Sequence, residues 1–356
     1  VDRVTALSLK NFTAFDDVRF DFSPGINVLI GANATGKSHV MKAIYAVVKA
    51  ARQLRLQGSS SGVQGNRLEV MLAEKLHGVF KPDGRIGRLV TRTRGRKRAE
   101  VRIVFKSEQF QFDLNTRDQL TVHKQATPQI DDCLFLPTRE LLSMYPGFIA
   151  AYKDRELSFD ETYYDLCVAL SASRLKGPRL ESAKRLIEPL EKTLLTQVVL
   201  KEGRFYLQSR GEGEMEAHLA AEGFRKLGSL KHLVLNGSLS KANVLFWDEP
   251  EVNLNPRLIT AVVQLLSTLA AAGVQIFIAT HDYLLVNELS LAAEYETAAG
   301  KAAKTRFICL TRDKPASPIE VHSGNTIAEI EDNPILEEFA VHYEREQALF
   351  HGTATK

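Results

Sequence analysis

Cysteine is scarce in this sequence, with three in 356 residues. Cys133, Cys167 and Cys309 lie far apart, are odd in number and form no C-x-x-C pair. That excludes a disulfide framework and a cysteine zinc site, and it points to a reducing compartment. An excess of one charge is also missing: 46 Lys and Arg against 43 Asp and Glu leave a net +3. Bulk charge therefore names no partner, and only its local distribution matters. Long charge-free runs are nearly absent. The one exception, residues 258–280, is long enough to span a bilayer. However, Gln264, Ser267, Gly273 and Gln275 interrupt it, and Gly273 divides it into a helix over 257–272 and a strand over 274–279. Charges at Asp2, Arg3, Lys10, Asp16 and Asp17 do not fit a signal peptide. The expectation is a cytoplasmic protein without a membrane span.

What is present is an ordinary globular composition, 44% hydrophobic and 25% charged. The length allows one large α/β domain or a core with an inserted lobe. The most informative stretch is Gly31-Ala32-Asn33-Ala34-Thr35-Gly36-Lys37-Ser38, a full match to G-x-x-x-x-G-K-[ST]. A chain of this length shows that pattern by accident on the order of one time in a hundred. Ile26 to Ile30 before it is a buried apolar strand. After it, Val40, Ile44, Val47, Val48 and Ala51 recur at helical spacing. The glycines thus sit in a strand-to-helix turn, where backbone N–H groups and the helix N-terminus favour phosphate. Gly31, Asn33, Ala34, Thr35, Gly36, Lys37, Ser38 and His39 are the expected nucleotide-binding residues. Lys37 is placed to reach the β- and γ-phosphates, and the Ser38 hydroxyl to ligate Mg²⁺.

The rest of the chain alternates strand and helix patterns. Residues 4–22 read as two strands around an Asn11-Phe12 turn. Gly58 to Asn66 reads as a Ser/Gly-rich loop, followed by a short helix over 67–76. Leu89-Val90 and Val101–Phe105 read as arms of a hairpin with a basic tip, Arg94-Gly95-Arg96-Lys97-Arg98. Arg94, Arg96, Lys97 and Arg98 either hold a nucleic-acid backbone by charge or form a solvated tip. No aromatic residue interleaves them, which counts against single-strand binding. Residues 133–136 form another apolar strand. Residues 141–203 read as mostly helical, with one helix kinked at Pro189, and a hairpin turns at Glu202-Gly203. A helix over 223–236 stops at Gly237. Residues 327–350 read as a helix interrupted at Pro334.

Val244-Leu245-Phe246-Trp247-Asp248-Glu249 is an apolar strand ending in two carboxylates. An Asp at such a strand end holds Mg²⁺ in phosphate-loop enzymes, so Asp248 is the second expected metal ligand. Glu249 is placed to orient the attacking water. The strand over 274–279 ends in Thr280-His281, and an imidazole there can reach a γ-phosphate at the sheet edge. Glu249, His281 and Lys37 are therefore the expected catalytic residues.

These blocks resemble the ABC-type ATPase heads, within which the chain is most similar to the SMC/RecF-like and OLD-like group. Leu7-Ser8-Leu9-Lys10-Asn11-Phe12, residues 245–251 and Asn253-Leu254-Asn255-Pro256 carry the likeness, over roughly 4–310. It implies an α/β P-loop NTPase with ABC-ATPase head architecture: a mixed core sheet, an antiparallel β lobe and a helical insert. The division expected is an ATPase lobe with the P-loop and basic hairpin (1–140), a mostly helical insert (141–210), a second ATPase lobe (211–311) and a short C-terminal tail (312–356). The resemblance also implies ATP with Mg²⁺ and an ATP-sandwiched homodimer or larger oligomer. In that assembly Gly223 caps the γ-phosphate held by another subunit. The family's serine is replaced by Ala221, and its lobe glutamine has no clear counterpart, Arg139 or Glu140 standing in its approximate place. Compact relatives in antiphage defence systems such as Septu and PARIS imply control of a separate effector, often a nuclease. The residues after Leu310 are too few for a TOPRIM or HNH nuclease. A RecF-like DNA-repair ATPase is the alternative. A transporter subunit and a barely hydrolysing ATP-binding scaffold are the remaining readings.

Overall fold

The structure is a computed structural model that describes residues 2–350 apart from 58–63, 92–96, 107, 127, 155–156, 194–195, 210–212, 242, 296–303, 315–316 and 331–332. In chain order the strands and helices are β1 (Val4–Phe12), β2 (Phe15–Asp21), β3 (Ile26–Gly31), α1 (Lys37–Leu56), α2 (Gln64–Phe80), β4 (Arg98–Phe105), β5 (Gln109–Asn115), β6 (Leu120–Lys124) and β7 (Cys133–Leu136). The helical insert follows as α3 (Phe148–Asp154), α4 (Glu161–Leu170), α5 (Pro178–Leu186) and α6 (Glu188–Thr193), with β8 (Thr196–Lys201), β9 (Arg204–Ser209) and β10 (Gly213–Glu216) after it. The chain then returns to the core as α7 (Glu222–Leu235), α8 (Ser238–Lys241), β11 (Val244–Asp248), α9 (Pro256–Ala271), β12 (Gln275–Thr280), α10 (Tyr283–Glu294), β13 (Thr305–Thr311), β14 (Glu320–Gly324) and α11 (Pro334–Phe350).

Three sheets result. The core sheet has the order β14-β13-β3-β12-β11-β7 and is parallel except for β14. Strands β3, β7 and β12 are buried at every residue and mostly apolar, as expected of parallel strands covered on both faces. The second sheet is antiparallel, β2-β1-β4-β5-β6, and β4 and β5 alternate buried and open residues because one face alone meets the core. A small sheet, β10-β9-β8, belongs to the insert. One apolar cluster fills the space between the core sheet, α1, α2 and the antiparallel lobe. A second lies on the opposite face, under α7, α9, α10 and the insert.

This is the mixed-sheet, β-lobe and helical-insert architecture expected. Several local expectations differ. The first turn is Thr13-Ala14, because Phe12 pairs with Phe15 across β1 and β2 and both rings are needed in the core. Leu89-Val90 is not a hairpin arm. Residues 86–89 form a 3₁₀ turn, Leu89 accepts from the Thr13 N–H at 2.6 Å, and β4 pairs with β1 and β5 instead. Arg94 and Arg96 lie outside the described residues, and Arg98 forms an ion pair with Asp113 at 3.1 Å. The helix expected over 67–76 extends from Gln64 to Phe80. The helix expected to kink at Pro189 is broken at Ile187 into α5 and α6. Pro334 starts a helix rather than interrupting one, since proline's missing N–H costs nothing in a first turn.

Helix α1 is tied to the insert and to the start of β7 by polar contacts along one face. Lys42 pairs with Asp160 at 2.7 Å, the Tyr45 hydroxyl donates to Asp165 at 2.5 Å, and Lys49 pairs with Asp132 at 2.9 Å. These contacts fix the helix that begins at the phosphate loop.

Candidate nucleotide site

The C-terminal ends of β3, β12 and β11 lie side by side, with Thr280 beside Ile30 and Asp248 beside Ala279. Every strand-end residue singled out in the sequence is brought to this edge. After β3 the backbone turns left-handed at Ala34 (φ 64°) and Gly36 (φ 90°). Gly36 has a second reason to lack a side chain, because a Cβ there would meet the Phe15 ring at 2.6 Å. The alternation of backbone conformations makes a concave run of N–H groups at the start of α1. Ala32, Asn33 and Ala34 are exposed on this loop, and Thr35 closes it by donating to the Ala32 carbonyl at 2.9 Å. Lys37 is turned into the loop, donating to the carbonyls of Gly31 at 2.7 Å and Ala32 at 2.9 Å. Burial lowers its pKa, while Asp248, Glu249 and Glu251 pull it back up.

The Ser38 hydroxyl lies beside the Asp248 carboxylate, near enough to favour its charged form. Burial raises the Asp248 pKa, and Ser38 and the charges of Lys42 and Lys37 oppose that rise. A hydroxyl and a carboxylate so placed, beside an anion-binding loop, suit Mg²⁺. That ion takes one or two protein oxygens and fills its remaining positions with phosphate and water. Among the described residues, no group of three or more His, Cys, Asp or Glu offers a different metal site.

Glu249 follows directly in the left-handed conformation, φ 48°, and its N–H donates to the Ala279 carbonyl at 2.8 Å. His281 Nδ1 lies 3.3 Å from Glu249 Oε1 and 4.0 Å from Glu251 Oε1. Glu251 is buried. Its Oε1 accepts from the Thr280 hydroxyl at 2.7 Å, and its Oε2 has no partner among the described residues. Burial raises its pKa.

Two predicted residues sit differently from their neighbours in the motif. The His39 ring packs against Phe80, with centroids 5.6 Å apart. Its Nδ1 is buried without a partner among the described residues, and burial lowers its pKa to about 4. Gly223 lies in the first turn of α7, where a Cβ would meet the Asn253 carbonyl at 2.7 Å. Its lack of a side chain is thus already required within one subunit.

Two further groups meet the site: Glu140, already placed near the family's glutamine, and Lys226, which the sequence did not single out. The Glu140 carboxylate is used up by Arg225 Nε at 2.6 Å and the Leu142 N–H at 2.9 Å, with the Ser143 hydroxyl also donating to it. Of the two residues standing near the family's glutamine, Arg139 is the exposed one. Lys226 is buried beneath Glu249. Its signal is spacing: Gly223, Lys226, Leu230 and Leu233 follow one apolar stripe.

Comparison with known proteins agrees with this geometry. Residues 26–287 match the family model described as "AAA domain, putative AbiEii toxin, Type IV TA system", and residues 2–49 match one described as "AAA domain". A 44-residue stretch is 48% identical to the DNA replication and repair protein RecF of Ligilactobacillus salivarius, covering 12% of each chain. Another of 74 residues is 35% identical to RecF of Streptococcus uberis, covering 21% of this chain and 20% of that one. The match therefore spans 12% to 20% of the length of these curated relatives. Among solved structures, the Smc head bound to the C-winged helix domain of ScpA superposes with a TM-score of 0.55 at 14% identity. That alignment covers 90% of this chain and 97% of the other. The Smc head domain with a coiled coil and joint from Pyrococcus yayanosii gives 0.52 at 12% identity, covering 91% and 97%. At such identities the likeness is one of fold, an SMC-head ABC ATPase fold.

Proposed function

The chain belongs to the AAA-domain family whose model spans residues 26–287, and we propose that it binds ATP with Mg²⁺ at this site and hydrolyses the γ-phosphate. The observation that carries the reading is the meeting of the Gly31–Ser38 loop with Asp248, Glu249 and His281 at one sheet edge. Ser38 and Asp248 would hold the magnesium ion, which supplies charge neutralisation on the phosphates when bound. Lys37 exchanges its two loop carbonyls for phosphate oxygens. Glu249 orients a water molecule for in-line attack. His281, held close to Glu249, donates to the γ-phosphate as charge develops there. Catalysis of this kind is positional and electrostatic.

The further reading is a switch. ATP is sandwiched between the phosphate loop of one subunit and the Gly223 end of α7 in another, and its hydrolysis changes subunit contacts. Leu219 and Phe224, exposed apolar side chains flanking Gly223, support a contact surface at that end. The oligomer would control a separate effector, a nuclease or toxin, in bacterial antiphage defence. The toxin–antitoxin description of the matching family supports this reading. Light-scattering mass with and without ATP and Mg²⁺, on wild type and Glu249→Gln, tests the switch. The variant is expected to stop hydrolysing and to assemble further with ATP. Unchanged mass together with a wild-type rate in the variant overturns the reading.

The stretches of identity to RecF support a second reading, a DNA-binding repair ATPase. It requires salt-dependent DNA binding by the chain that is lost on neutralising Arg94, Arg96, Lys97 and Arg98.

A further inference from the structure

Helix α7 meets the site from beneath as well as at its Gly223 end. Lys226, one turn into the helix, is 5% exposed. Its ammonium donates to the Glu249 carbonyl at 2.6 Å and to the Val252 carbonyl at 3.3 Å. Those carbonyls belong to the two ends of one turn, which the Val252 N–H closes onto the Glu249 carbonyl at 3.3 Å. Lys226 therefore spans the turn that begins with the left-handed Glu249. We propose that Lys226 is a positioning residue for Glu249: by gripping this turn it sets where the Glu249 carboxylate stands, and it makes that position follow the position of α7.

Several features give this arrangement its force. A left-handed backbone at a non-glycine residue persists only where its surroundings hold it, and here the holders are the Ala279 carbonyl and Lys226. The contact is made to the Glu249 backbone and leaves its carboxylate, partly exposed beside His281, untouched by Lys226. The groups facing Lys226 are Glu251, Glu249 and Asp248 from the strand end and its turn, and Glu222 from α7 itself. Burial lowers its pKa to about 8 against the pull of these carboxylates, so it remains mostly charged at neutral pH. Because Gly223 lies one turn away on the same helix, a shift of α7 at that end reaches Glu249 through the buried Lys226 contact.

The proposal rests on the reading of Glu249 as the group that orients water, and the test separates the two. Lys226→Met and Lys226→Gln are compared with wild type for kcat per ATP-binding site, for ATP affinity and for melting temperature. Lys226→Met is expected to lower kcat roughly 10- to 100-fold, the cost of misplacing a reacting group by about 1 Å, with ATP affinity within twofold of wild type. Lys226→Gln keeps an N–H donor group without the charge and is expected to fall between Met and wild type. It also supplies the measurement if the Met variant does not fold. In a Glu249→Gln background, Lys226→Met should cost nothing further in rate. A wild-type kcat per site in either folded variant, or a parallel loss of affinity and rate, overturns the proposal while leaving Glu249 in place. A wild-type rate in Glu249→Gln alone overturns the reading beneath it.

Discussion

Strands β7 and β11 are parallel neighbours, and each is followed by a glutamate that meets the same helix. At β7, α7 grips the carboxylate: Arg225 reaches Glu140 at 2.6 Å, and the side chain is 4% exposed. At β11 the next residue of the helix, Lys226, grips the backbone of Glu249 and leaves its side chain 27% exposed beside His281. A carboxylate whose lone pairs are filled by donors is a fastening. One whose peptide is fastened and whose oxygens are open can do chemistry. On the proposed reading of Glu249, consecutive residues of one helix thus serve a structural glutamate and a reactive one, and residue type alone does not tell them apart.

The sharpest way to break this comparison is to neutralise each glutamate's role in turn. Glu249→Gln should lower kcat by about 10²- to 10⁴-fold, the usual worth of a positioned general base. Its melting temperature should stay near wild type; phosphate release and calorimetry check the two halves. Arg225→Met should do the reverse. It leaves Glu140 charged and buried without its cation, at a cost of roughly 3 kcal/mol in unfolding free energy, while kcat of the folded protein changes little. Denaturant titration together with turnover per folded molecule decides it.

Gly223→Ala probes the helix where neither glutamate is touched. The new methyl would press on the Asn253 carbonyl, and such overpacking costs about 1 to 3 kcal/mol, read from urea midpoints. The mildest test concerns the buried His39 imidazole. His39 has its pKa lowered to about 4 by burial, so the unfolded chain takes up a proton first on acidification. Its contribution to stability is complete above about pH 6.5 and is lost as pH falls towards 4. At pH 5.5 the loss should be about 1 kcal/mol relative to pH 7, and His39→Gln should remove that slope from the urea midpoints.

The readable part of the site was the part in which local pattern and tertiary role coincide. Ile26–Ser38 announces a strand, a glycine turn and a helix from spacing alone. Val244–Glu249 and residues 274–281 show apolar runs ending in polar groups, because parallel core strands are buried on both faces. Lys226, Arg225 and Glu140 carry residue types that normally belong to the surface, and only the contacts of α7 with the segments after β7 and β11 draw them inward. The turn after β1 was displaced for a related reason: Asn11 has the composition of a turn, yet the Phe12–Phe15 pairing places the reversal two residues on. The break at Ile187 rather than Pro189 is set where α5 ends and a new first turn begins, a junction that helical periodicity across it conceals.

The left-handed backbone of Glu249 has a consequence for how this protein can be changed. Glycine adopts that conformation without penalty, whereas a side chain there costs on the order of 1 kcal/mol. The chain carries there a residue that the fold would rather exchange. Selecting variants for heat resistance alone should therefore favour Glu249→Gly, and the winners would be sturdier molecules that turn over nothing.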